Sequence, residues 1–403
     1  MWETFMNQTV NNHNLPQRLL SLDVYRGGVM LLMLGHVLRF SRISEALPES
    51  GVWAFLSLLQ FHVPWVGGTL HDMIQPSFSF LVGVVLPFSL VRRAAENQSY
   101  LHRNLHAFWR SFLLIALGIF LRSLGRDQTN FTFEDTLTQI GLGYGFLYLI
   151  AQGGRRTFWT SLVSLMVGYW LLFALYPLPD STFDWSQAGV ASDWPHHLQG
   201  FAAHWNKNTN AAWAFDRWFL NLFPREEMFR YYGGGYATLS FLPTLATMLL
   251  GLLAGRLLQS DREPWQRVRL LVFWGLGSLV GGLLLGWLGI CPVVKRIWTP
   301  AWVLYSGGWC FLVTAILYAV VDVMHYQRWS FIFKVVGMNS ITAYCSESLF
   351  VGFIGTALQR HLGESCFTFA GEAYRSLFQG GAVLLIIWLI LFWMYRRKLF
   401  IRI

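Results

Sequence analysis

The chain has 403 residues, of which 54% are hydrophobic, 17% aromatic and only 13% charged, against the roughly 25% charged residues of a soluble domain. Its apolar runs follow one another with short connections, so a single membrane-embedded domain over 1–403 is expected in place of about two or three soluble ones. The formal charge of +9 gives no reason to invoke nucleic acid, because the arginines and lysines sit at the ends of apolar runs and not in one basic patch.

Residues 1–20 are polar and lack the basic region, apolar core and small-residue cleavage site of a signal peptide. They are expected to form a cytoplasmic tail, with the first span itself as the targeting signal. Reading for about 20 mostly apolar residues per crossing gives spans at 22–40, 70–91, 104–124, 134–152, 157–176, 236–258, 268–290, 300–322, 334–357 and 378–395. The expected fold is therefore all-α, a polytopic transmembrane helical bundle of about ten spans. Between the first two spans, GVWAFLSLLQFHVPW is too short and too interrupted by Pro64, Gly67 and Gly68 to cross, so it reads as a re-entrant or interfacial segment. Glycine-rich strings such as GLLAG at 251–255 and GLGSLVGG at 275–282 allow helices to pack closely where lipid supplies no hydrophobic drive. No period of about 20–50 residues repeats, and no inverted halves with matching broken helices stand out.

Placing both termini in the cytoplasm puts an excess of Arg and Lys of about two to one in the inner loops, among them Arg92, Arg93, Arg155 and Arg156. The 41–69 loop and the long 177–235 loop then face outward. The latter is too aromatic for disorder. Its run HWNKNTNAAWAFDRWFLNLFP combines aromatic faces, amides and a lysine, which suits a sugar acceptor, with Asn206, Lys207 and Asn208 as candidate contacts. An interfacial amphipathic helix with a tryptophan belt accounts equally for that composition.

Ionisable groups in the first two spans are expensive in lipid and are read as functional candidates. Asp23 and Arg26 are spaced for an i,i+3 ion pair near the start of the first span. His36 lies near its outer end, where an interfacial role is the simpler reading. His62 and His71 flank the glycine turn in FHVPWVGGTLHD, and Asp72 stands where a carboxylate could orient an imidazole. In GMNSI at 337–341, Gly337 permits close backbone approach and Asn339 supplies a buried amide; helix packing alone explains the string as well. Cys291, Cys310, Cys345 and Cys366 have no metal-ligand or disulfide spacing, and no serine elbow, phosphate loop, dinucleotide fingerprint or zinc-protease motif occurs. No metal is expected.

RLLSLDVYRG at 18–27 and HVPWVGGTLHDMIQPSFSFLVG at 62–83 resemble the transmembrane acyltransferases related to heparan-alpha-glucosaminide N-acetyltransferase. That family's run H-x-x-W-x-G-x-T-x-x-D-x-x-x-P-x-F is matched without a gap by His62, Trp65, Gly67, Thr69, Asp72, Pro76 and Phe78. The resemblance continues in YATLSFLPTLATMLLGLLAG from Tyr236, in the stretch from Thr299 and in GMNSI. It implies that acetyl-CoA binds from the cytoplasmic side and that its acetyl group passes to a sugar, an amino sugar above all, on the far side. The matched His62 then acts as acyl carrier or general base, two roles the resemblance leaves open. The family's asparagine after the first span is missing from GHVLRFSR, where His36 is its candidate stand-in. The extended 41–61 segment and the HWNKNTN run imply a bacterial relative, in the cytoplasmic (inner) membrane, with another acceptor.

On that basis Asp72 is the expected orienter of His62. Asn339 or the amides of the Gly67–Gly68 turn would stabilise an oxyanion. Arg92, Arg93, Arg155 and Arg156 are candidates for the CoA phosphates by charge, with Asp23 and Arg26 bracing that entrance or forming only a helix-end salt bridge. His36, Trp65 and His71 join Asn206, Lys207 and Asn208 as candidate acceptor contacts. A homodimer is compatible with this reading. The reading from another class is a transporter or flippase of a sugar-linked or anionic substrate.

Overall fold

The computed structural model describes residues 18–95, 99–180 and 182–401; the expected tail falls outside the described residues as far as residue 17. Among the described residues the regular structure is helical, with only isolated bridges that pair Val66 and Gly67 with Val294. The α-helices are α1 (Leu20–Leu34), α2 (Phe40–Ala46), α3 (Gly51–Gln60), α4 (Ile74–Ala95), α5 (Tyr100–Ser123), α6 (Thr136–Gln152), α7 (Arg155–Ala174), α8 (Ala211–Phe219), α9 (Phe241–Gln259), α10 (Pro264–Trp287), α11 (Pro300–Leu317), α12 (Phe331–Met338), α13 (Ser340–Leu349), α14 (Val351–Leu362) and α15 (Arg375–Arg396). They divide between two compact units that alternate along the chain. Unit one holds Pro64–Gly67 and Gln75–Ala315; unit two holds Leu19–Val63, Gly68–Ile74 and the chain from Ile316 onward.

The apolar runs of the sequence become long helices. Seven of these are long and apolar enough to cross a membrane, and the bent pair α13 and α14 makes an eighth if counted as one broken span. The chain is a polytopic helical membrane protein. Of the other expected spans, α1 has 15 residues and α6 has 17. At about 1.5 Å per residue both are shorter than a bilayer core of roughly 30 Å. The expected span 334–357 is not one helix, because the chain breaks at Asn339 and bends by 57° between α13 and α14.

Unit one is organised around α9, whose residues are buried on nearly every side. Two glycines explain how tightly α4 lies on it. A Cβ at Gly251 would sit 1.9 Å from the Phe80 carbonyl oxygen, and one at Gly83 would sit 1.9 Å from that of Met248. No side chain fits between these backbones, which is the small-residue packing expected of GLLAG. α6 and α7 also pack on α9.

In unit two, α1 packs along α12 by the same device. A Cβ at Gly337 would fall 1.9 Å from the Asp23 carbonyl oxygen, and one at Gly27 1.8 Å from that of Phe333. The N-terminus of α1 is capped from far along the chain. Leu20 and Ser21 donate their backbone N–H groups to the two carboxylate oxygens of Asp322, at 3.0 and 3.1 Å, which satisfies amides a helix start leaves open. α15 packs on the turn Gly35–Leu38 and on α2, α12 and α14. The short helix α3 exposes Val52, Phe55 and Leu58. Ten residues cannot cross a bilayer, and an exposed apolar face on so short a helix is the form an interfacial segment takes.

Candidate active site

Within unit two the chain from Phe61 to Asp72 closes on one carboxylate. Asp72 is 1% exposed and His62 39% exposed by side chain, and His62 Nδ1 lies 2.6 Å from Asp72 Oδ1. The second oxygen, Oδ2, accepts from the backbone N–H of Thr69 at 3.1 Å and of Val63 at 3.3 Å. The Thr69 hydroxyl lies 3.2 Å from Oδ2 and 2.6 Å from the Phe61 carbonyl. A hydroxyl has one proton to give, and the shorter contact takes it. Two backbone amides and an imidazole nitrogen converge on this carboxylate, whose ionised form only accepts and so pairs with the Nδ1–H tautomer of His62. With Nδ1–H pointing at the carboxylate, Nε2 keeps its lone pair.

The turn inside this loop belongs to unit one and is held separately. Trp65 is fully buried and donates its indole N–H to the Trp205 carbonyl at 3.0 Å. Gly67 donates to the Val293 carbonyl at 2.9 Å and has φ +101°, a conformation that L side chains rarely adopt.

Two further imidazoles lie close by. The His71 ring centroid is 4.8 Å from that of His62, and the His36 centroid 5.8 Å from that of His71. His71, which neighbours both, is buried, while His36 is exposed and His62 half-exposed. The sequence put His36, His62 and His71 in one region without showing this proximity.

Asn339 is completely buried at the break between α12 and α13, and among the described residues neither its Oδ1 nor its Nδ2 has a hydrogen-bond partner. An unpaired buried amide costs on the order of 1–3 kcal/mol. Asp23 and Arg26 form the spaced ion pair, at 3.6 Å. Arg92 and Arg93 lie in the last turn of α4, and Arg155 and Arg156 open α7 as exposed residues.

The HWNKNTN run behaves differently from its composition. It is not one amphipathic helix. A 3-10 stretch Gly200–Trp205 is followed by a turn and then by α8. The Asn206 amide pairs with both backbone groups of Leu198, at 2.7 and 3.0 Å, and Asn208 donates to the carbonyls of Ala188 and Tyr232, at 2.8 and 3.0 Å. Both are buried. Asn210 caps α8 by accepting from the N–H groups of Ala212 and Trp213. Lys207, between them, lies against the face of Trp194, 5.3 Å from its ring centroid.

Sequence reasoning did not single out Asp322, detectable as an acid at the end of an apolar run, and named Thr69 only as a matched position of the family run, without the contact it makes to Asp72.

No family model matches the chain. It is similar to the curated heparan-alpha-glucosaminide N-acetyltransferase of Homo sapiens, 24% identical over 431 residues, a match covering 96% of this chain and 60% of that protein. The Mus musculus protein of the same name is 23% identical over 387 residues, covering 85% of this chain and 55% of the mouse protein. The chain thus spans less than two thirds of the length of these relatives. Two matches at this level over most of the chain support a family relationship to these proteins.

Proposed function

We propose that this chain is a membrane-bound acyltransferase that moves an acetyl group from cytoplasmic acetyl-CoA to a sugar acceptor, an amino sugar in the first instance, on the outer face of a bacterial cytoplasmic membrane. The observation that carries the reading is the buried Asp72 holding Nδ1 of a half-exposed His62. The names of its relatives support acetyl transfer.

In the direct route, Nε2 of His62 takes a proton from the acceptor amine as its nitrogen attacks the thioester carbonyl. The new C–N bond forms, the C–S bond breaks, and the departing thiolate of CoA takes up the proton from His62. In the acyl-carrier route, Nε2 itself attacks the thioester and the C–S bond breaks to release the CoA thiolate; the amine then displaces the imidazole from the acetyl group, and its proton passes to that thiolate. Either way Asp72 stabilises the imidazole in the required tautomer and compensates its charge. The Nδ2 group of Asn339 is a donor without a partner in the same unit and is the candidate for the oxyanion. Arg92, Arg93, Arg155 and Arg156 suit the CoA phosphates on the inner side by charge.

The bent pair α13 and α14 favours a second reading, transport, because discontinuous helices commonly line transporter sites. Purified protein incubated with acetyl-labelled CoA and a panel of amino sugars separates the two. Label appearing on a sugar supports acetyl transfer, and movement of sugar across a vesicle wall without labelling supports transport.

A further inference from the structure

Once Nε2 of His62 carries an acetyl group, the His62 ring can accept no proton, because its Nδ1–H is already committed to Asp72 at 2.6 Å. Asp72 cannot stand in for it. The carboxylate is 1% exposed and already meets His62 and the backbone N–H groups of Val63 and Thr69. An amine that attacks the acetyl group still has a proton to lose, so this step calls for a second base.

His71 occupies the place of one. Its ring centroid lies 4.8 Å from that of His62, with the planes tilted by 57°, a separation at which aromatic rings touch. The contact is built in by the chain on both sides. Phe61 and Val63 flank His62; the Phe61 carbonyl accepts from the Thr69 hydroxyl at 2.6 Å, and the Val63 N–H donates to Asp72 at 3.3 Å. His71 lies between Thr69 and Asp72 in the chain and opens the 3-10 turn His71–Met73 that also carries Asp72. The group that orients His62 and the ring beside it are therefore consecutive residues of unit two. Position 71 is one that the run H-x-x-W-x-G-x-T-x-x-D leaves open, so this imidazole lies outside the resemblance. Direct transfer needs one base, and His62 supplies it. A second imidazole against the first finds its use when the first is occupied.

We propose that His71 is a second base of acetyl transfer, taking the proton of the attacking amine while His62 carries the acetyl group. The proposal rests on the acetyl-transfer reading and selects its acyl-carrier route. In that step the bond between the amine nitrogen and the acetyl carbon forms. The bond from that carbon to Nε2 breaks and leaves its electron pair on Nε2. The amine proton moves to a ring nitrogen of His71, which then yields it to the CoA thiolate, and His62 returns to its neutral Nδ1–H form beside Asp72.

The test follows labelled acetyl by rapid quench, from acetyl-CoA onto purified full-length protein and from there onto glucosamine, in the unaltered chain, His71→Ala and His71→Phe. Both variants are expected to take up label at the unaltered rate and to pass it on about 10²-fold more slowly, so that acetyl-protein accumulates. Added imidazole should speed passage about tenfold in His71→Ala, where the place of the ring is open, and leave His71→Phe unchanged. Passage at the unaltered rate in folded His71→Phe overturns the inference. So does a parallel fall in uptake and passage that imidazole fails to restore, which is the result a structural role gives. Labelling of glucosamine with no acetyl-protein in any of the three chains overturns it in favour of the direct route, and acetyl-protein that forms equally in His62→Ala overturns it by placing the acetyl group elsewhere. If His71→Ala fails to fold, the split between uptake and passage in His71→Phe decides alone. An unaltered chain that labels neither itself nor glucosamine is a distinct result, which removes the acetyl-transfer reading and the inference with it.

Discussion

The loops 61–72 and 204–210 both gather polar and aromatic residues, yet the fold spends them in opposite ways. In the first, backbone amides converge on a carboxylate that in turn holds one half-exposed imidazole by its Nδ1. In the second, the asparagines are buried and the amides of Asn206 and Asn208 are spent on the backbone of Leu198, Ala188 and Tyr232, while Lys207 lies against the Trp194 ring. The difference shows that composition locates polar side chains but hydrogen-bond accounting decides which are available.

Substitutions in the two loops should therefore fail in different currencies. The largest effect is expected for His62→Ala, which should lower the rate of acetyl transfer by about 10³-fold or more, within the range of general acid–base catalysis, with an unchanged melting temperature. A protein that unfolds without His62 would give it a structural part instead. Asp72→Asn should cost about 10²-fold in kcat with little change in KM, since it disturbs the His62 tautomer and charge compensation and not binding; kinetics on the folded variant check this.

Asp216 tests the second region through pH. It is buried in α8, accepts from the Thr238 N–H at 2.9 Å, and its carboxyl is pushed up to about 7 by burial. The unfolded chain releases that proton near the ordinary value of about 4, so the folded state binds more protons between these values. Stability at this site is fully present below about pH 4 and declines as pH rises to about 7. Asp216→Asn should raise the melting temperature at about pH 8, equivalent to a few kcal/mol, and leave it unchanged at about pH 4. Asn206→Ala should show the smallest effect, a loss of about 1–2 kcal/mol from the two backbone groups left unpaired, with acetyl transfer per folded molecule unaltered. A fall in kcat without a loss of stability would move Asn206 into the chemistry.

Much of the fold was legible because membrane helices advertise themselves by length and apolarity. The expected spans at 104–124, 236–258 and 300–322 correspond to the helices Tyr100–Ser123, Thr238–Gln259 and Pro300–Val323. Close approach at Gly251 and Gly337 was legible for the same reason, since glycine in an apolar run has few other uses. The break at Asn339 was not, because α12 to α14 remain apolar across it and hydropathy is blind to a bend. In the site, the spacing of His62 and Asp72 and the ion pair of Asp23 with Arg26 could be read locally. The cap that Asp322 places on α1 could not, being a contact across about 300 residues that no local pattern encodes. The same holds for His36, whose approach to His71 depends on how α1 ends.

The claim at the centre is that Asp72 acts through His62, and a double-mutant cycle measures it directly. Acetyl transfer would be followed in the unaltered protein, His62→Ala, Asp72→Asn and the double variant, all verified as folded. The account expects the double variant to be no slower than His62→Ala alone, because an orienting carboxylate has nothing left to orient. Losses that multiply would contradict it and make Asp72 and His62 independent contributors.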